Sequence, residues 1–260
     1  MELSIIIPTL NEERLLPFLL ELIKEENSKN NIEVIIADAG SSDKTVQIAK
    51  DYGCKVVEGG LPARGRNNGA KYATAEILFF MDADVIFSKG TIEKSLKEFK
   101  RKKLDAASFG IYTQEKNLYM NKTTMNLFYN YPQRILKKVS PMGAMGIMVK
   151  KDIFNKVKGF DEDIKLAEDH YFVRKVSKIG KYDIIRKIKL YMPLRRFRQD
   201  GYMKTFLKYA FCFLHMNIKG PLKKDNVVHY NFDHYNNNKI IRRKKYVNLR
   251  TSKNRRERVK

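Results

Sequence analysis

Two carboxylates separated by one residue directly follow a hydrophobic run in this chain. Ile77–Met81 is wholly apolar, which predicts a strand buried on both faces of a parallel sheet, and Asp82 and Asp84 come at its carboxyl end. Open α/β sheets bind ligands at that end of their strands. Carboxylate oxygens there can hold a hard divalent cation, which in turn can hold a diphosphate. The pair therefore predicts metal-assisted chemistry on a phosphorylated ligand, although a turn or a helix cap uses the same residue types.

Strand-like and helix-like segments alternate through the first hundred residues and would position this pair. Apolar runs predict strands at residues 3–7, 33–37, 55–57 and 77–81. Helical spacing predicts helices at residues 15–24, 43–49, 67–73 and 91–102, the third of them after a glycine-rich loop with Gly59, Gly60 and Gly65. This order predicts an α/β fold with a doubly wound, mainly parallel sheet and helices on both faces.

Residues 105–200 are less regular but continue the same alternation. We expect strands at residues 106–112 and 147–149, and helices at residues 117–136, at residues 151–157 and from Glu168 onward. The loop at residues 141–146 is rich in glycine and methionine. Met142 and Met145 would either line an adaptable apolar binding site or belong to the core, and the sequence fits both.

Charge is unevenly distributed along the chain. The net charge is +23, with 13 basic and 16 acidic residues in positions 1–100 (net −3) and 39 basic and 13 acidic residues in positions 101–260 (net +26). Such asymmetry indicates a basic face that meets a polyanion, which includes nucleic acid, anionic lipid and a phosphate-bearing substrate. A generally lysine-rich composition accounts for part of the excess.

The cysteines and the hydropathy pattern indicate the cellular compartment. Cys54 and Cys212 lie far apart and outside any CxxC pattern, which favours a reduced, cytoplasmic setting over a disulfide scaffold or a zinc site. We expect no signal peptide, because residues 3–7 form a strand without a basic segment before it. We also expect no transmembrane helix, because no 18-residue apolar stretch is free of charge.

The segment after residue 200 differs from the rest. Residues 202–219 predict an amphipathic helix with Lys204 and Lys208 on one side and Phe206, Leu207 and other apolar residues on the opposite side. Such a helix either lies in a membrane interface or covers the sheet with its apolar side. Residues 239–260 carry 11 basic residues and one acid, which predicts a solvated, disordered tail attracted to anionic surfaces.

Six short motifs occur in a fixed order along the chain. They are Pro8-Thr9-Leu10-Asn11-Glu12, the run from Ala37 to Thr45, Gly65-Arg66-Asn67-Asn68-Gly69, Asp82-Ala83-Asp84, Gly159-Phe160-Asp161-Glu162, and Glu168-Asp169 with Arg174 and Gly180 behind it. In this order and spacing the chain resembles the family 2 glycosyltransferases, which have the GT-A fold. The resemblance covers about residues 1–200, which would be the catalytic domain. Residues 201–238 would be an interfacial helical segment.

The resemblance implies a nucleotide site built from the first four strands and their loops, comprising Pro8, Thr9, Glu12, Asp38, Arg66 and Asp82. Asp38 would accept the N–H of a uracil or guanine ring, or it is only a turn residue before Gly40. Ala39 replaces the second Asp of the family's usual Asp-Asp-Gly-Ser. Arg66 would meet the nucleotide's ring or its phosphates, with Arg64 as the alternative. Asp43 more simply caps the following helix.

The resemblance also implies a metal site and a general base. Asp84 would bind Mn²⁺ or Mg²⁺ directly, and Asp82 would contribute to the metal site or contact the ribose or the donor sugar. Asp169 would take the proton from the attacking hydroxyl, and Glu168 would help to orient the acceptor. Both acids also suit the start of a helix. Arg174 would pair with one of these acids, and one of Arg195, Arg196 and Arg198 would reach the diphosphate.

We therefore expect an inverting, metal-dependent glycosyltransferase that uses a nucleotide-diphospho-sugar, with UDP-sugars favoured over GDP-sugars. The expected acceptor is a glycan or a lipid-linked molecule of cell-envelope biosynthesis, at an anionic membrane surface on the cytoplasmic side. The alternatives are a basic protein that binds nucleic acid or anionic lipid, and a sugar nucleotidyltransferase. No nucleic acid partner is expected, since the chain contains no recognisable nucleic-acid module. The absence of GxGxxG after the first strand and of GxxxxGK[ST] excludes dinucleotide and P-loop fingerprints.

Overall fold

Seven strands form a single sheet in the order β3-β2-β1-β4-β6-β5-β7 in the computed structural model, which describes residues 1–113, 121–143, 145–164 and 166–223. All the described residues belong to one compact unit. The strands are β1 (Leu3–Thr9), β2 (Ile32–Asp38), β3 (Lys55–Glu58), β4 (Ile77–Met81), β5 (Ala106–Tyr112), β6 (Gly146–Lys150) and β7 (Tyr182–Tyr191). Only β6 runs antiparallel to its neighbours, β4 and β5, so the sheet is mainly parallel as predicted.

Helices cover both faces of this sheet. They are α1 (Leu16–Asn30), α2 (Thr45–Asp51), α3 (Pro62–Lys71), α4 (Thr91–Arg101), α5 (Lys122–Met125), α6 (Tyr131–Leu136), α7 (Lys151–Lys156), α8 (Glu168–Ser177), α9 (Arg195–Asp200) and α10 (Tyr202–Ile218). A π-helical turn, Asn126–Asn130, joins α5 to α6, so the three pieces form one continuous helix. The predicted start of this helix, at residues 117–120, lies outside the described residues.

Side-chain alternation along the central strands builds two cores. In β4, Phe79 and Met81 join a cluster that also contains residues of α1 and α4, whereas Leu78 and Phe80 join a second cluster with residues of α3, α7 and α8. The Phe80 ring lies 5.0 Å from that of Phe160, and the Phe160 ring stacks on that of Phe172 at 4.1 Å. A strand apolar at every position is thus buried on both sides, which confirms the double winding.

Helix α3 begins earlier than predicted. Pro62 occupies its first turn, where the missing N–H costs nothing, so Gly65 lies inside the helix and not in a loop before it. A Cβ on Gly69 would collide with Cγ2 of Ile6 in β1, and a Cβ on Gly65 would come within 3.2 Å of Cβ of Pro8. The glycines therefore allow the helix to approach the sheet closely, and the expectation of a glycine-rich loop was wrong at Gly65.

Two further elements were not predicted. β7 pairs with β5 across a register shift between Phe109 and Gly110, and the short helix α9 follows it. Lysine and apolar residues alternate only over residues 187–190, and the doublets Ile184-Ile185 and Arg186-Lys187 interrupt the period-two pattern of a strand. Within the described part of the chain, no helix has the length and apolar character that a membrane span requires.

Helix α10 has the predicted bounds to within a residue, but its apolar side does not cover the sheet. Buried positions of the helix are Thr205, Cys212 and Met216, whereas Leu207 and Leu214 are exposed. The domain-helix interpretation of the apolar side is therefore wrong. The predicted tail at residues 239–260 lies outside the described residues, as does most of the stretch between it and α10.

Candidate active site

The carboxyl ends of β1, β2 and β4 come together at one edge of the sheet. The register pairs Thr9 with Asp38. Asp38 is buried and accepts four hydrogen bonds, from Thr9 Oγ1 (2.9 Å), Gly40 N (3.0 Å), Ser41 N (2.8 Å) and Ser41 Oγ (2.6 Å). A carboxylate offers about four acceptor positions, so this is the geometry of a turn residue. A base N–H would have to replace one donor, and the hydroxyls of Thr9 and Ser41 are the two that can rotate, of which Ser41 is the less buried.

Pro8 and Thr9 border the same place through their backbone. Pro8 lies beside Gly65 of α3, and the Thr9 carbonyl accepts the N–H of Ala39 at 2.9 Å. The end of β1, at Pro8 and Thr9, is thus held against the turn after β2. Asp43 accepts hydrogen bonds from Thr45 N (2.9 Å) and Glu13 N (3.1 Å), which agrees with its predicted structural role at the start of α2.

Arg66, and not Arg64, faces the acidic residues. Its guanidinium is buried and donates to Asp82 Oδ1 at 2.8 Å and to Glu168 Oε1 at 2.6 Å. It also lies over the Phe160 ring, 5.3 Å from the ring centre. Arg64 is exposed and pairs instead with Glu58 at 3.1 Å. Arg66 therefore ties the end of β4 to the start of α8.

The Asp82 and Asp84 side chains are both held by arginines. Burial raises the pKa of Asp82, although the charge of Arg66 opposes it. Asp84 Oδ2 lies 3.1 Å from Arg195 Nη2. Among the described residues, no group of three or more His, Cys, Asp and Glu side chains could hold a metal. Two hard carboxylates nevertheless fit Mg²⁺ or Mn²⁺, since such ions commonly take only one or two carboxylates and complete their shell with substrate phosphates and water.

A second arginine cluster joins the loop after β1 to α9. The Arg195 guanidinium donates to Glu12 Oε1 at 2.6 Å and to Glu12 Oε2 at 3.2 Å while it also contacts Asp84. Glu12 is almost fully buried, and burial raises its pKa to about 7 against the opposing charge of Arg195. The sequence identified Glu12 and offered Arg195 as one of three arginines, but it gave no sign that the two would pair.

Glu168 and Asp169 open α8, as predicted. Ala167 just before them has a left-handed backbone (φ 63°), which turns the chain into the helix. Burial raises the pKa of Glu168 despite Arg66. Asp169 Oδ1 contacts His170 Nδ1 at 2.9 Å and accepts the His170 N–H at 2.7 Å. Burial alone would raise the pKa of Asp169, but the His170 charge and hydrogen bonds outweigh it and lower that pKa to about 2.

His170 and Tyr129 are residues that the sequence interpretation missed. The pKa of His170 is raised because the charge of Asp169 outweighs the effect of burial. The Tyr129 hydroxyl donates to the Gly143 carbonyl at 2.6 Å, and a Cβ on Gly143 would lie 2.5 Å from the Asp169 carbonyl oxygen. The loop at residues 141–143 therefore packs on the backbone of Asp169. The only signal for His170 in the sequence was its position directly after the acidic pair.

Two of the six motifs are hydrogen-bonded to each other. Asn67 Nδ2 donates to the Phe160 carbonyl at 2.9 Å and to Glu162 Oε1 at 2.8 Å, and Asn67 Oδ1 accepts the Phe160 N–H at 2.8 Å. A Cβ on Gly159 would lie 2.5 Å from Asn67 Oδ1. The Arg-Asn-x-Gly and Gly-Phe-Asp-Glu segments thus form a structural clamp that fixes Arg66.

Two other expectations are settled by the structure. Arg174 does not pair with Glu168 or Asp169 but donates to the Met216 carbonyl at 3.0 Å and to Asn217 Oδ1 at 2.7 Å, at the carboxyl end of α10. It lies six residues after Glu168, on a different side of the helix. Met142 and Met145 are buried, and Met145 belongs to the main core.

Three comparisons with known proteins bear on this site. The family model "Glycosyl transferase family 2" matches residues 4–158. The minor teichoic acid biosynthesis protein GgaB of Bacillus subtilis is 29% identical over 220 residues, which is 77% of this chain and 23% of that protein. The chain spans about a quarter of the length of this curated relative.

Solved structures show the same fold. Staphylococcus aureus TarS 1–349 superposes with a TM-score of 0.61 at 20% identity, covering 84% of this chain and 73% of that one, and its structures include complexes with UDP and UDP-GlcNAc. A mannosyltransferase of Pyrobaculum calidifontis in complex with GDP-Man and Mn²⁺ also has a TM-score of 0.61, at 19% identity, covering 81% of this chain and 64% of that one.

Proposed function

Because the chain belongs to glycosyl transferase family 2, we propose that it transfers a sugar from a nucleotide-diphospho-sugar to a hydroxyl acceptor by an inverting, metal-dependent displacement. The observation that carries this proposal is the bridge made by buried Arg66 between Asp82 and Glu168. It brings the Asp-x-Asp pair of the donor side and the acidic pair of the acceptor side into one site. Inverting transfer in a single step needs both sides at the same anomeric carbon.

The donor side consists of Asp82, Asp84 and the segment from Pro8 to Glu12. A divalent metal held by Asp84 and Asp82 would supply Lewis-acid stabilisation of the leaving nucleoside diphosphate. Asp38, Thr9 and Pro8 would bind the base, and Ser41 Oγ would give up its hydrogen bond to Asp38. Arg195 would leave Asp84 when the metal binds there, which frees a guanidinium beside the diphosphate. We favour a UDP-sugar, since TarS has been solved with UDP-GlcNAc.

The acceptor side consists of Asp169, with Glu168 beside it. Asp169 is ionised at any pH above about 2, as a general base must be. As the acceptor oxygen attacks the anomeric carbon, its hydroxyl proton passes to Asp169 and the C–O bond to the diphosphate breaks on the opposite face. Glu168 is held by Arg66 and would orient the acceptor. His170 keeps the Asp169 carboxylate in place through its Nδ1.

The acceptor is proposed to be a cell-envelope glycan or a lipid-linked glycan at the cytoplasmic face of a membrane. GgaB is named for minor teichoic acid biosynthesis, and TarS is a poly(ribitol-phosphate) β-N-acetylglucosaminyltransferase, which acts on a polyanion. A polyanionic acceptor suits a chain whose residues 101–260 have a net charge of +26.

The first test is a thermal-shift panel of UDP, GDP, CMP and dTDP, each with and without Mn²⁺. A ligand that binds only the folded protein adds about 2.7 kcal/mol of stability at a hundredfold excess over its Kd. We expect one nucleotide, UDP first, to stabilise the protein in the presence of metal. Asp84→Ala should abolish the metal-dependent part.

Asp169→Asn serves as the matched variant for the acceptor side. It should keep the UDP and metal stabilisation but lose sugar transfer, because the amide cannot accept the proton. Stabilisation by no nucleotide, or full transfer by Asp169→Asn, would contradict the proposal.

A further inference from the structure

Two helices present an unusually apolar surface to solvent. Sixteen large apolar side chains are exposed among the described residues, and eleven of them lie on or next to the α5–α6 helix and on α10. We define the two-helix face as these eleven residues: Leu127, Phe128, Tyr131, Ile135, Val139, Met203, Phe206, Leu207, Phe211, Leu214 and Ile218. Val139 is 80% exposed and Ile218 is 79% exposed. Exposed apolar surface gathered in one region marks an interaction site.

The two helices contribute to one surface. The Phe128 ring meets the Phe206 ring edge-on, with centroids 5.2 Å apart. Each helix is anchored to the domain by its other side. Asn130 holds both the N–H and the carbonyl of Ile111 in β5, and Gln133 donates to the carbonyls of Phe109 and Met142. The apolar side chains of the face therefore project from a fixed support and not from a loose segment.

The charges within the two segments that form this face have a single sign. Residues 121–143 contain four basic residues and no acid, and residues 201–223 also contain four basic residues and no acid, so the two segments carry a net charge of +8. Lys122, Arg134, Lys138 and Lys204 are exposed. A second copy of the chain on this face would bring +8 against +8. Acids of neighbouring elements lie close by, since Asp200 ends α9 just before α10 begins. Lys223 also pairs with Asp161, and Lys137 pairs with Asp183. An apolar face whose own two segments carry only cations instead fits a surface that is apolar inside and anionic outside.

The face is connected to the acidic pair of the site. Tyr129, on the same helix as Leu127 and Phe128, donates to the Gly143 carbonyl, and Gly143 packs on the backbone of Asp169. Arg174, in the helix that begins with Glu168 and Asp169, holds the end of α10 through the Met216 carbonyl and Asn217. Both helices of the face are thus linked to α8, which carries the proposed base Asp169. The α5–α6 helix reaches it through Gly143, and α10 reaches it through Arg174.

We propose that the two-helix face binds an anionic lipid bilayer, with its apolar side chains in the interfacial region and its lysines and arginines at the lipid phosphates. This arrangement would hold the acceptor side of the active site at the membrane surface. Only that last consequence rests on the proposed function, since the lipid contact follows from the face alone. The predicted amphipathic helix at residues 202–219 is therefore half of a larger surface.

The chain contains no tryptophan, so a single introduced tryptophan reports its own surroundings. Leu127→Trp and Leu207→Trp place one reporter on each helix of the face at positions that are already exposed. Tyr72→Trp is the control, since Tyr72 is also about half exposed but its ring lies under Lys55 Nζ of the edge strand β3, at 4.8 Å. The full-length variants are mixed with vesicles of phosphatidylglycerol and phosphatidylcholine that carry brominated acyl chains.

We expect bromine to quench the fluorescence of Leu127→Trp and of Leu207→Trp, with a blue shift, and to leave Tyr72→Trp unchanged. Lys204→Gln, combined with Leu207→Trp, should weaken binding to these vesicles about fivefold, as expected for one charge at an anionic surface. Pure phosphatidylcholine vesicles should show much weaker binding.

Three outcomes would overturn the proposal. Equal quenching at all three positions would show that lipid contact is not confined to the two-helix face. Quenching at none of them would show that the face does not insert, even if the chain binds vesicles through another basic segment. A blue shift that depends on protein concentration without lipid would assign the face to a second copy of the chain. If these variants keep their UDP-dependent thermal stabilisation while the face fails to insert, the membrane proposal fails and the proposed function does not.

Discussion

Two arginines hold the acidic residues of the site in pairs. Arg66 joins Asp82 to Glu168, and Arg195 joins Glu12 to Asp84. Each guanidinium makes the burial of carboxylates tolerable, because an unpaired buried charge is costly. The site therefore carries its own cations. A metal and a diphosphate would have to exchange with Arg195 at Asp84.

Arg195→Gln should destabilise the protein by about 2 kcal/mol at about pH 8.5, because it leaves ionised Glu12 buried without a partner. The pKa of Glu12 is raised to about 7 even with Arg195 beside it, and loss of Arg195 raises it further. Below pH 7 Glu12 is therefore neutral in both proteins and needs no counter-ion. The cost should therefore shrink as the pH falls through 7. Urea unfolding at about pH 8.5 and about pH 5.5 measures this.

Arg64→Gln is the control for that comparison, since Arg64 and its partner Glu58 are both well exposed. Exposed pairs contribute about 0–1 kcal/mol, and this substitution should have no comparable pH dependence. An equal effect of Arg195→Gln at both pH values would mean that Glu12 does not titrate in this range.

His170→Gln should move the acidic limb of the pH profile of kcat/KM to higher pH. The charge and hydrogen bonds of His170, together with the charge of Arg66, lower the pKa of Asp169 to about 2 although burial raises it. Without the His170 cation, the pKa of Asp169 should rise. Activity would then be lost at a pH where the wild type is still fully active.

His215→Gln provides the comparison, because His215 Nδ1 contacts the Gly220 carbonyl at the end of α10 and not the acidic pair. Its acidic limb should coincide with that of the wild type. If the acidic limb of the kcat/KM profile lies at the same pH in His170→Gln and in the wild type, that limb reports a group other than Asp169.

At the scale of elements, α3 determines where Arg66 lies. The helix approaches β1 through glycine, and its Asn67 clamps the Gly159-Phe160 turn. Phe160 then stacks on Phe172 of α8, so the position of α3 is coupled to the helix that carries Glu168 and Asp169. The motif around Gly65 and Gly69 is therefore a packing requirement more than a ligand contact.

Gly69→Ala tests this coupling. In a helix with free space, alanine is more stable than glycine by about 1 kcal/mol. Here the added Cβ meets Cγ2 of fully buried Ile6, so we expect a loss of about 1–3 kcal/mol and weaker UDP binding. Lys71→Ala, at an exposed position of the same helix, should leave both properties nearly unchanged. Chemical denaturation and nucleotide titration measure the two effects, and stabilisation by Gly69→Ala would disprove the close approach.

At the scale of the whole molecule, charge and apolar surface are both concentrated after residue 100. Asp82 and Asp84, which follow β4, come from a segment with a net charge of −3, whereas residues 101–260 carry +26. This division suits an enzyme that binds a compact donor through metal and draws its acceptor, or the surface that carries it, by long-range attraction.

Salt should therefore act on the acceptor more than on the donor. The Debye length falls from about 10 Å at 0.1 M salt to about 3 Å at 1 M, which screens attraction to a polyanionic acceptor. We expect KM for an anionic acceptor to rise steeply with salt, while KM for a neutral acceptor of the same sugar rises little. Steady-state kinetics with both acceptors decides this, and equal salt responses would contradict a polyanion-binding role for the basic half.

The sequence alone determined the order of strands and helices in the first hundred residues, the mainly parallel sheet, the Asp82-Ala83-Asp84 pair at the end of β4 and the start of α8 at Glu168, although not the start of α3. These features depend on local periodicity and on residues adjacent in the chain. Tertiary structure alone placed Arg66, and not Arg64, beside Asp82 and Glu168. It also paired Arg195 with Glu12 and Asp84, turned Arg174 toward α10 and left the apolar side of α10 exposed. The physical reason is that these contacts join residues far apart in sequence, so their partners follow from packing and not from spacing.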